Sequence, residues 1–203
     1  MISKESVRAA IPPPPEADQL ANQLADELLV VRCQLGERAA FDQLIARWHR
    51  PLWRYARNLA GSDAGADDAT QEVWLRALRG IARLRTGAAL RPWLFGIARR
   101  VLMDRLRDLY ATPPAPADFD PDDLAAQECD DALDLELELA ALLRELALLP
   151  PIENEVLTLF YLRELSLDDV TQVLGIPVGT VKSRLFRARK LLRHQLDLKG
   201  VSP

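Results

Sequence analysis

Basic side chains, with one aromatic ring among them, are concentrated in one stretch near the C-terminus of this 203-residue chain. Residues 178–190 read VGTVKSRLFRARK, so Lys and Arg alternate with Thr, Ser and Phe. Arg and Lys bind phosphates and the edge of guanine, hydroxyl groups hydrogen-bond to bases, and Phe contacts the thymine methyl group. This chemistry suits contact with DNA. The candidate DNA-binding residues are Thr180, Lys182, Ser183, Arg184, Phe186, Arg187, Arg189 and Lys190.

The residues before this stretch predict the scaffold that presents it. Ser166 followed by Asp169 resembles a capping box, with Asp in place of the usual Glu, and so predicts a helix start. Gly175 favours the end of that helix, residues 176–179 a turn, and Thr180 the start of a second helix. A short helix, a turn and a basic second helix are typical of a helix-turn-helix, which inserts its second helix into the major groove. The inward face of the second helix is expected to carry Val181, Leu185, Ala188 and Leu192.

In two stretches of the first half of the chain, residues of similar type also recur at helical spacing. Residues 67–78, DDATQEVWLRAL, place acidic and amide side chains three or four positions apart, which suits a basic partner helix. Val73, Trp74 and Leu75 are expected to add apolar surface to that helix. Residues 90–108, LRPWLFGIARRVLMDRLRD, combine apolar positions with arginines that favour a DNA backbone. The expected core positions of this helix are Trp93, Leu94, Ile97, Val101 and Leu102.

The pattern predicts an all-α protein of two small helical domains joined by an acidic flexible linker. Leu and Ala dominate and aromatic residues make up only 6%, which favours helices over sheets. We expect a flexible tail at residues 1–25 with a four-proline run, one domain at 26–109, the linker at 110–131 and a second domain at 132–203. A helix is expected from about Pro92 to Leu109. The predicted buried stripes of the first domain contain Leu28, Leu29, Phe41, Leu44, Ile45, Trp48, Leu52 and Tyr55.

The net charge of −4 conceals two basic blocks separated by an acidic one. Residues 26–107 contain 15 basic and 9 acidic residues, and residues 177–203 contain 7 and 1. Residues 108–143 contain 11 acidic residues and no basic one. Since the Debye length is about 8 Å at physiological salt, a binding face responds to local charge and not to the total. Solvated helix faces are the alternative explanation of these blocks.

Enzymatic chemistry is not expected. The sequence has no Gly-rich phosphate loop, nucleophile elbow or metal-spaced cluster, so we expect no cofactor and no metal. His49 and His194 are isolated, Cys33 is expected in the core and Cys129 in the linker. No apolar run approaches the roughly 20 residues that cross a bilayer, and the first residues lack the apolar segment of a secretory signal. A cytoplasmic protein without membrane insertion is therefore expected.

Both halves of the chain resemble one family. Residues 149–192, LPPIENEVLTLFYLRELSLDDVTQVLGIPVGTVKSRLFRARKLL, resemble region 4 of the sigma-70 family, and especially its extracytoplasmic-function (ECF) group. The pattern there is LPxxxREVxxL followed by LSxxEIAxxLGIPxGTVKSRLxRAR. Residues 67–78 and 90–108 are similar to the region 2 patterns DAxDxxQExFxxxL and FRxWLxxIARNxxxDxxRR. The resemblance covers roughly residues 26–108 and 138–196.

The resemblance implies an alternative sigma factor that directs core RNA polymerase to a specific set of genes. Its region 4 helix would read the minus-thirty-five element, and its region 2 would capture the melted minus-ten element. The implied partners are the β′ clamp and β flap of core polymerase, promoter DNA and an anti-sigma factor. The residues implied to bind polymerase are Asp67, Asp68, Gln71, Glu72 and Leu75. Those implied to bind the minus-ten element are Arg85, Thr86, Gly87, Ala88, Arg99, Arg100 and Arg105.

One departure from the family pattern concerns the loop before residues 90–108. Family members often carry a polar segment such as FRGxSSF there, whereas residues 84–90 read LRTGAAL. Alanines replace serines, so fewer side-chain donors remain to read an unstacked base. The role of the loop follows from the resemblance, but no base preference does.

A stand-alone helix-turn-helix regulator is the alternative, with the first domain used for dimerisation or sensing. LuxR-type response regulators share a similar helix-turn-helix, so the second domain alone leaves the family open. The match in residues 90–108 favours the sigma factor, because a stand-alone regulator needs no helix that melts DNA. A lone recognition helix would also bind a duplex weakly without a dimer. A pure protein-interaction module is disfavoured by the basic helix.

Overall fold

The computed structural model describes residues 16–111, 145–146 and 148–198, and the side chains of residues 20–108, 145–146 and 148–197. Within these ranges the secondary structure is helical and no strand occurs, so the predicted all-α class is confirmed. Residues 1–15 and residues 112–131 of the predicted linker lie outside the described residues.

The first domain consists of four helices: α1 (Glu16–Gln34), α2 (Arg38–Ala60), α3 (Asp63–Gly80) and α4 (Leu90–Ala111). Residues 16–25 were predicted to belong to the flexible tail but are helical, because α1 starts at Glu16. Residues 16–25, EADQLANQLA, contain neither Pro nor Gly and are rich in good helix formers, so nothing local stops the helix there. Helix α4 extends beyond the expected Pro92–Leu109 at both ends.

A buried carboxylate joins three of these helices. Asp26 on α1 is 2% exposed. Its Oδ1 accepts hydrogen bonds from Arg47 Nε (2.8 Å) and Trp48 Nε1 (3.2 Å) on α2, and its Oδ2 accepts one from Arg91 Nε (3.3 Å) on α4. A buried charge is tolerated only when it is paired and hydrogen-bonded, and Asp26 meets both conditions.

The position of Leu28 differs from the expectation. Leu28 was predicted to be buried but is 59% exposed, whereas Leu29, Val30 and Cys33 are buried. Residues 28–31 are all apolar, so two stripes at helical spacing overlap in the sequence, and periodicity alone does not choose between them. The stripe that contains Asp26 faces the core, and this turns Leu28 outward.

The loop between α3 and α4 is fastened to α1. It contains two short 3-10 turns, Ile81–Arg83 and Gly87–Ala89. The Gln34 side-chain amide donates to the carbonyl oxygens of Ile81 (3.1 Å) and Leu84 (2.8 Å). A Cβ atom on Gly87 would lie 2.4 Å from the Cα of Glu27. Only glycine therefore allows this loop to approach α1 so closely.

The second domain contains a helix-turn-helix. Helix α5 (Pro151–Leu157) continues into a π-helical turn (Thr158–Leu162), and α6 (Leu167–Leu174) and α7 (Val178–Leu198) follow. Helix α7 begins at Val178 and not at Thr180, because the turn ends with Pro177, whose fixed φ suits the entry to a helix.

The two domains are in contact. Helix α4 packs against α6, and the buried apolar residues of both domains form one cluster. In the first domain this cluster includes Phe95, whose ring makes edge-to-face contacts with Trp48 and Tyr55 at centroid distances of 6.3 and 5.4 Å. The hydroxyl of Tyr55 in turn reaches Glu155 of the second domain.

The substitution Gly87→Ala should destabilise the chain. Because the added Cβ would overlap the backbone of α1, we expect the free energy of unfolding to fall by about 1–3 kcal/mol, measured by urea denaturation. Gly179→Ala is the control, since no atom lies within 4 Å of its added Cβ and alanine favours the helix. Equal stability of Gly87→Ala and the parent chain would contradict this close approach.

Candidate nucleic-acid and protein interfaces

The helix before the basic helix starts and ends as the sequence predicts. Ser166 Oγ accepts a hydrogen bond from the backbone N–H of Asp169, and the Asp169 carboxylate accepts one from the backbone N–H of Ser166, each at 3.1 Å. This reciprocal pair confirms the predicted capping box. Gly175 ends α6 in the left-handed conformation, with φ of 66°, and its N–H donates to Thr171.

The predicted inward face of α7 is largely confirmed. Val181, Leu185 and Ala188 are buried, and Leu192 is half-buried. Thr180 and Arg184 are half-buried at the edge of this face. The remaining candidate DNA-binding residues are all exposed: Lys182, Ser183, Phe186, Arg187, Arg189 and Lys190.

Some candidate DNA-binding side chains of α7 already have interaction partners within the protein, and others have none. Arg187 Nε lies 3.4 Å from Glu153 on α5, and Arg189 contacts the Tyr161 hydroxyl at 3.4 Å. Lys182, Arg184 and Lys190 form no ion pair with any residue that the structure describes. Phe186 is 68% exposed. The outer surface of α7 thus offers uncompensated positive charge beside an uncovered aromatic ring.

The polar face predicted on α3 is exposed but contains less apolar surface than expected. Asp67, Asp68 and Gln71 are exposed. Val73 and Trp74, expected on the surface, are buried at 1% and 7% exposure because they point into the core against α2 and α4. Leu75 alone of that apolar trio is exposed, at 43%.

Leu78 extends this face and was missed by the sequence analysis. It is 45% exposed and lies one turn beyond Leu75. Asp67, Gln71, Leu75 and Leu78 are spaced by three or four residues and therefore form one row along α3. Leu78 follows the same spacing, so its position was readable from the sequence, whereas its exposure was not. We call these four residues the α3 row; its N-terminal end is acidic and its C-terminal end is apolar.

Ion pairs hold the carboxylates beside the α3 row in place. Glu72 pairs with Arg76 at 2.8 Å, and Asp68 lies 3.4 Å from Arg105 on α4. Asp67 accepts a hydrogen bond from Trp53 Nε1 at 2.6 Å. Exposed pairs of this kind exchange readily for other partners, since each contributes little to stability.

The predicted minus-ten loop presents few side-chain donors. Arg85, Thr86 and Ala88 are exposed, and the Thr86 hydroxyl accepts a hydrogen bond from the N–H of Ala88 at 3.3 Å. Gly87 is half-buried against α1, so its place in the loop is explained by packing.

The arginines predicted on α4 are less free than the sequence suggests. Arg99 Nε donates to Glu155 of the second domain at 3.0 Å, and Arg105 is engaged with Asp68. Arg100 is exposed, and its Nε donates to the carbonyl oxygen of Gly96 on its own helix.

A groove of about 390 Å³ lies where the two domains meet. One side of it belongs to the predicted minus-ten surface and the other to the helix-turn-helix. The sequence analysis did not foresee that these two surfaces face each other. The lining residues are Leu84, Ala89, Pro92, Trp93, Gly96, Arg99, Arg100, Gln172, Val173, Leu174 and Gly175.

Within the described parts of the chain, no group of three His, Cys, Asp or Glu side chains is placed to hold a metal ion. None of the described helices combines the length and hydrophobicity that crossing a membrane requires. Cys33 is buried, as expected, and this burial raises the pKa of its thiol, which lowers its reactivity.

The family comparisons agree on both domains. A model described as sigma-70 region 2 matches residues 44–112, and one described as sigma-70 region 4 matches residues 139–192. The chain is 36% identical over 178 residues to the ECF RNA polymerase sigma factor SigM of Mycobacterium tuberculosis (strain ATCC 25618 / H37Rv), an alignment that covers 86% of each chain.

Two solved structures resemble the fold. CnrH, in complex with the cytosolic domain of CnrY, matches with a TM-score of 0.62 and 28% identity over 86% of this chain and 98% of that chain. The sigma factor RpoE, in complex with the anti-sigma factor NepR from Bartonella quintana, matches with a TM-score of 0.59 and 22% identity over 77% and 96%.

Removal of the capping hydroxyl should weaken the helix-turn-helix. Ser166→Ala leaves the N–H of Asp169 without its partner, so we expect the free energy of unfolding to fall by about 1 kcal/mol in urea denaturation. Ser183→Ala serves as the control, because Ser183 is exposed inside α7, where alanine is the better helix former. A loss in Ser183→Ala as large as that in Ser166→Ala would contradict the role of the cap.

Proposed function

The chain belongs to the ECF group of the sigma-70 family, and on that premise we propose that it binds core RNA polymerase, recognises minus-thirty-five and minus-ten promoter elements and starts transcription of a specific set of genes. One observation carries the proposal: the same chain presents an exposed basic recognition helix on α7 and an exposed acidic-to-apolar row on α3. A stand-alone regulator requires the first surface but not the second.

Polymerase binding is assigned to α3. The carboxylates of Asp67, Asp68 and Glu72, together with Gln71, would contact a basic coiled coil of the β′ clamp, and Leu75 would supply the apolar contact. Leu78 is added to this set because it lies on the same row and is exposed. The ion pairs with Arg76 and Arg105 keep the carboxylates extended until a cationic partner replaces them. The second domain would contact the β flap.

Recognition of the minus-thirty-five element is assigned to α7. A major groove about 12 Å wide accepts one α-helix, and the exposed side chains of α7 point away from its packed face. Lys182, Arg184 and Lys190, which have no ion-pair partner in the described structure, would reach phosphates or guanine edges. Phe186 would contact a thymine methyl group.

Capture of the minus-ten element is assigned to the 84–90 loop and to the arginines of α4. Arg85 and Thr86 are the exposed polar side chains of the loop. Arg99, Arg100 and Arg105 would hold the sugar-phosphate backbone. Since Ala88 and Ala89 carry no hydrogen-bonding side chain, reading of an unstacked base would rely on Arg85, Thr86 and the backbone groups of this loop.

We also propose an anti-sigma factor as a partner. CnrH, at 28% identity, was solved with the cytosolic domain of CnrY bound to it. The exposed Leu75 and Leu78 on α3 provide apolar surface for such a protein, which would then compete with polymerase for the same face.

The first prediction for this function concerns α3. Purified core RNA polymerase with this chain should produce specific transcripts from the upstream region of its own gene, or from sheared genomic DNA of the source organism. Gln71→Ala/Glu72→Ala should reduce those transcripts at least tenfold, because the polar contacts to the clamp are lost. Run-off transcription and co-elution with core polymerase measure the two effects.

The control for this experiment is Asp42→Ala/Gln43→Ala, which removes one acid and one amide from exposed positions on α2 outside the proposed face. It should transcribe like the parent chain. Tight binding to bare duplex DNA, without co-elution or transcripts, would instead establish the stand-alone regulator.

The second prediction concerns α7. In the holoenzyme, Lys182→Ala should weaken binding to a promoter found in that experiment by roughly 1–3 kcal/mol if Lys182 reads a guanine. If it contacts a phosphate, the salt dependence of the binding constant should fall by about one unit of slope. Fluorescence anisotropy at several salt concentrations measures both. Arg193→Ala, exposed on the same helix beyond the candidate residues, should change neither, and an unaltered Lys182→Ala would remove Lys182 from the interface.

A further inference from the structure

Helix α1 and the residue after it expose a row of large apolar side chains. Leu20, Leu24, Leu28, Val31 and Leu35 are 51–74% exposed. Single exposed leucines are common on protein surfaces, whereas a contiguous apolar row marks an interaction site. The proposed function assigns DNA and polymerase contacts to other elements, so it leaves this face without a partner.

The row points straight away from the core of the first domain. Within residues 20–34, the buried positions of α1 are Asp26, Leu29, Val30 and Cys33. Because an α-helix turns about 100° per residue, these positions lie on the side opposite the row. Leu35 follows the last residue of α1, and its N–H bonds to the carbonyl oxygen of Val31 at 3.0 Å, so it continues the same face.

The spacing of the row is that of a coiled-coil interface. Leu24, Leu28, Val31 and Leu35 are four, three and four residues apart, which is the d, a, d, a order of a heptad repeat. We call these four residues the α1 seam. The same row on a second helix would fill the holes between its side chains. A groove of about 520 Å³ borders Leu28 on the side of α2, so α2 leaves room for this approach.

The charges beside the α1 seam favour a parallel second copy. Glu27 at position g and Arg32 at position e are five residues apart, and g and e side chains meet across parallel helices. Glu27 accepts a hydrogen bond from Gln23 (3.1 Å) but forms no ion pair with any residue that the structure describes. Arg32 donates to Glu37 (2.7 Å) and Gln43 (3.0 Å), which uses two of its five N–H groups. An antiparallel pair brings position g against position g, where α1 has no cation.

The rest of the first domain limits this assembly to two copies. Among free helices, Leu at a with a β-branched residue at d favours bundles of more than two. Here the domain covers the side of α1 opposite the seam, and Ala25 and Arg32 at position e are half-buried. Only one narrow face of α1 remains for a partner, and one such face closes a two-fold pair.

We propose that the α1 seam is a self-association surface that pairs two copies of this chain in parallel, with Leu20 widening its N-terminal end and a Glu27–Arg32 ion pair on each side. The dimer does not rest on the proposed function, since none of these residues is assigned to DNA or polymerase. The seam spans roughly 17 Å at 1.5 Å per residue, so we expect association in the micromolar range.

Sedimentation equilibrium of the full chain tests the dimer. Between low concentration and about 100 μM, the average mass should rise from 22.7 kDa towards twice that value. Leu28→Gln/Val31→Gln should raise the dissociation constant of the dimer at least tenfold, because apolar contacts across the seam are lost. Both positions are exposed and Gln is a good helix former, so the fold should persist, which circular dichroism verifies.

The matched control is Leu75→Gln/Leu78→Gln, which removes two exposed apolar side chains from α3. It should associate like the parent chain. The dimer is refuted if the parent chain stays at 22.7 kDa up to the highest concentration, and a helix of another protein is then the remaining occupant of the seam. A mass beyond twice that value, or an equal loss of association in the control, would also refute it.

Disulfide formation tests the parallel orientation. In a chain that carries Cys129→Ser, Leu24→Cys places a thiol on the seam, while Cys33 is buried. A parallel pair brings the two substituted positions together, so oxidation should link the chains covalently. In an antiparallel pair centred on Leu28 and Val31, the two positions lie roughly 16 Å apart and cannot be linked.

The control for cross-linking is Asp42→Cys in the same background, at an exposed position of α2 outside the seam. It should yield far less covalent dimer than Leu24→Cys. A chain that sediments as a dimer but is not linked through position 24 would overturn the parallel arrangement.

Discussion

The carboxylate of Asp26 lies where α1, α2 and α4 meet, and donors from two of these helices surround it. Because a buried carboxylate without partners is strongly unfavourable, this charge fixes how α1 is rotated against its neighbours. The rotation places Gln34 and Glu27 beside the loop between α3 and α4. There the Gln34 amide donates to two loop carbonyls, and the backbone of Glu27 leaves room only for glycine at position 87. The conformation of the candidate minus-ten surface therefore depends on a charge buried elsewhere in the domain.

The candidate surfaces share residues with the contacts that stabilise the fold. Arg99 has two competing uses, since it binds Glu155 of the second domain and would bind a phosphate under the proposed function. Asp68 and Arg105 satisfy each other across α3 and α4, although each belongs to a different candidate interface. Such shared use couples binding at one surface to the availability of another, without a change in the helices themselves.

The sequence determined the helices better than their arrangement. Local signals predicted the capping box of Ser166 and Asp169 and the end of α6 at Gly175, because those interactions lie within a few residues. The predicted burial of Leu28 was wrong because two apolar stripes of α1 have the same spacing. The distant Arg47 and Arg91, which bind Asp26, decide which stripe faces the core. The buried and exposed faces of α7 were predicted well because they follow from local helical spacing. The contact between Glu155 and Tyr55, 100 positions apart, was not predicted because no local signal reports it.

The burial of the Tyr55 hydroxyl determines how the contact responds to protons. Burial and then the nearby Glu155 raise the pKa of this phenol well above its ordinary value of 10, against smaller opposing effects of Arg99 and Arg163. Well below pH 10 the phenol is protonated whether or not the two domains are in contact, so its ionisation favours neither arrangement. Only near pH 10 and above would Tyr55 lose this proton more readily with the domains apart, which would weaken the contact. Acidification or mild alkalinity therefore leaves the contribution of Tyr55 to this contact unchanged.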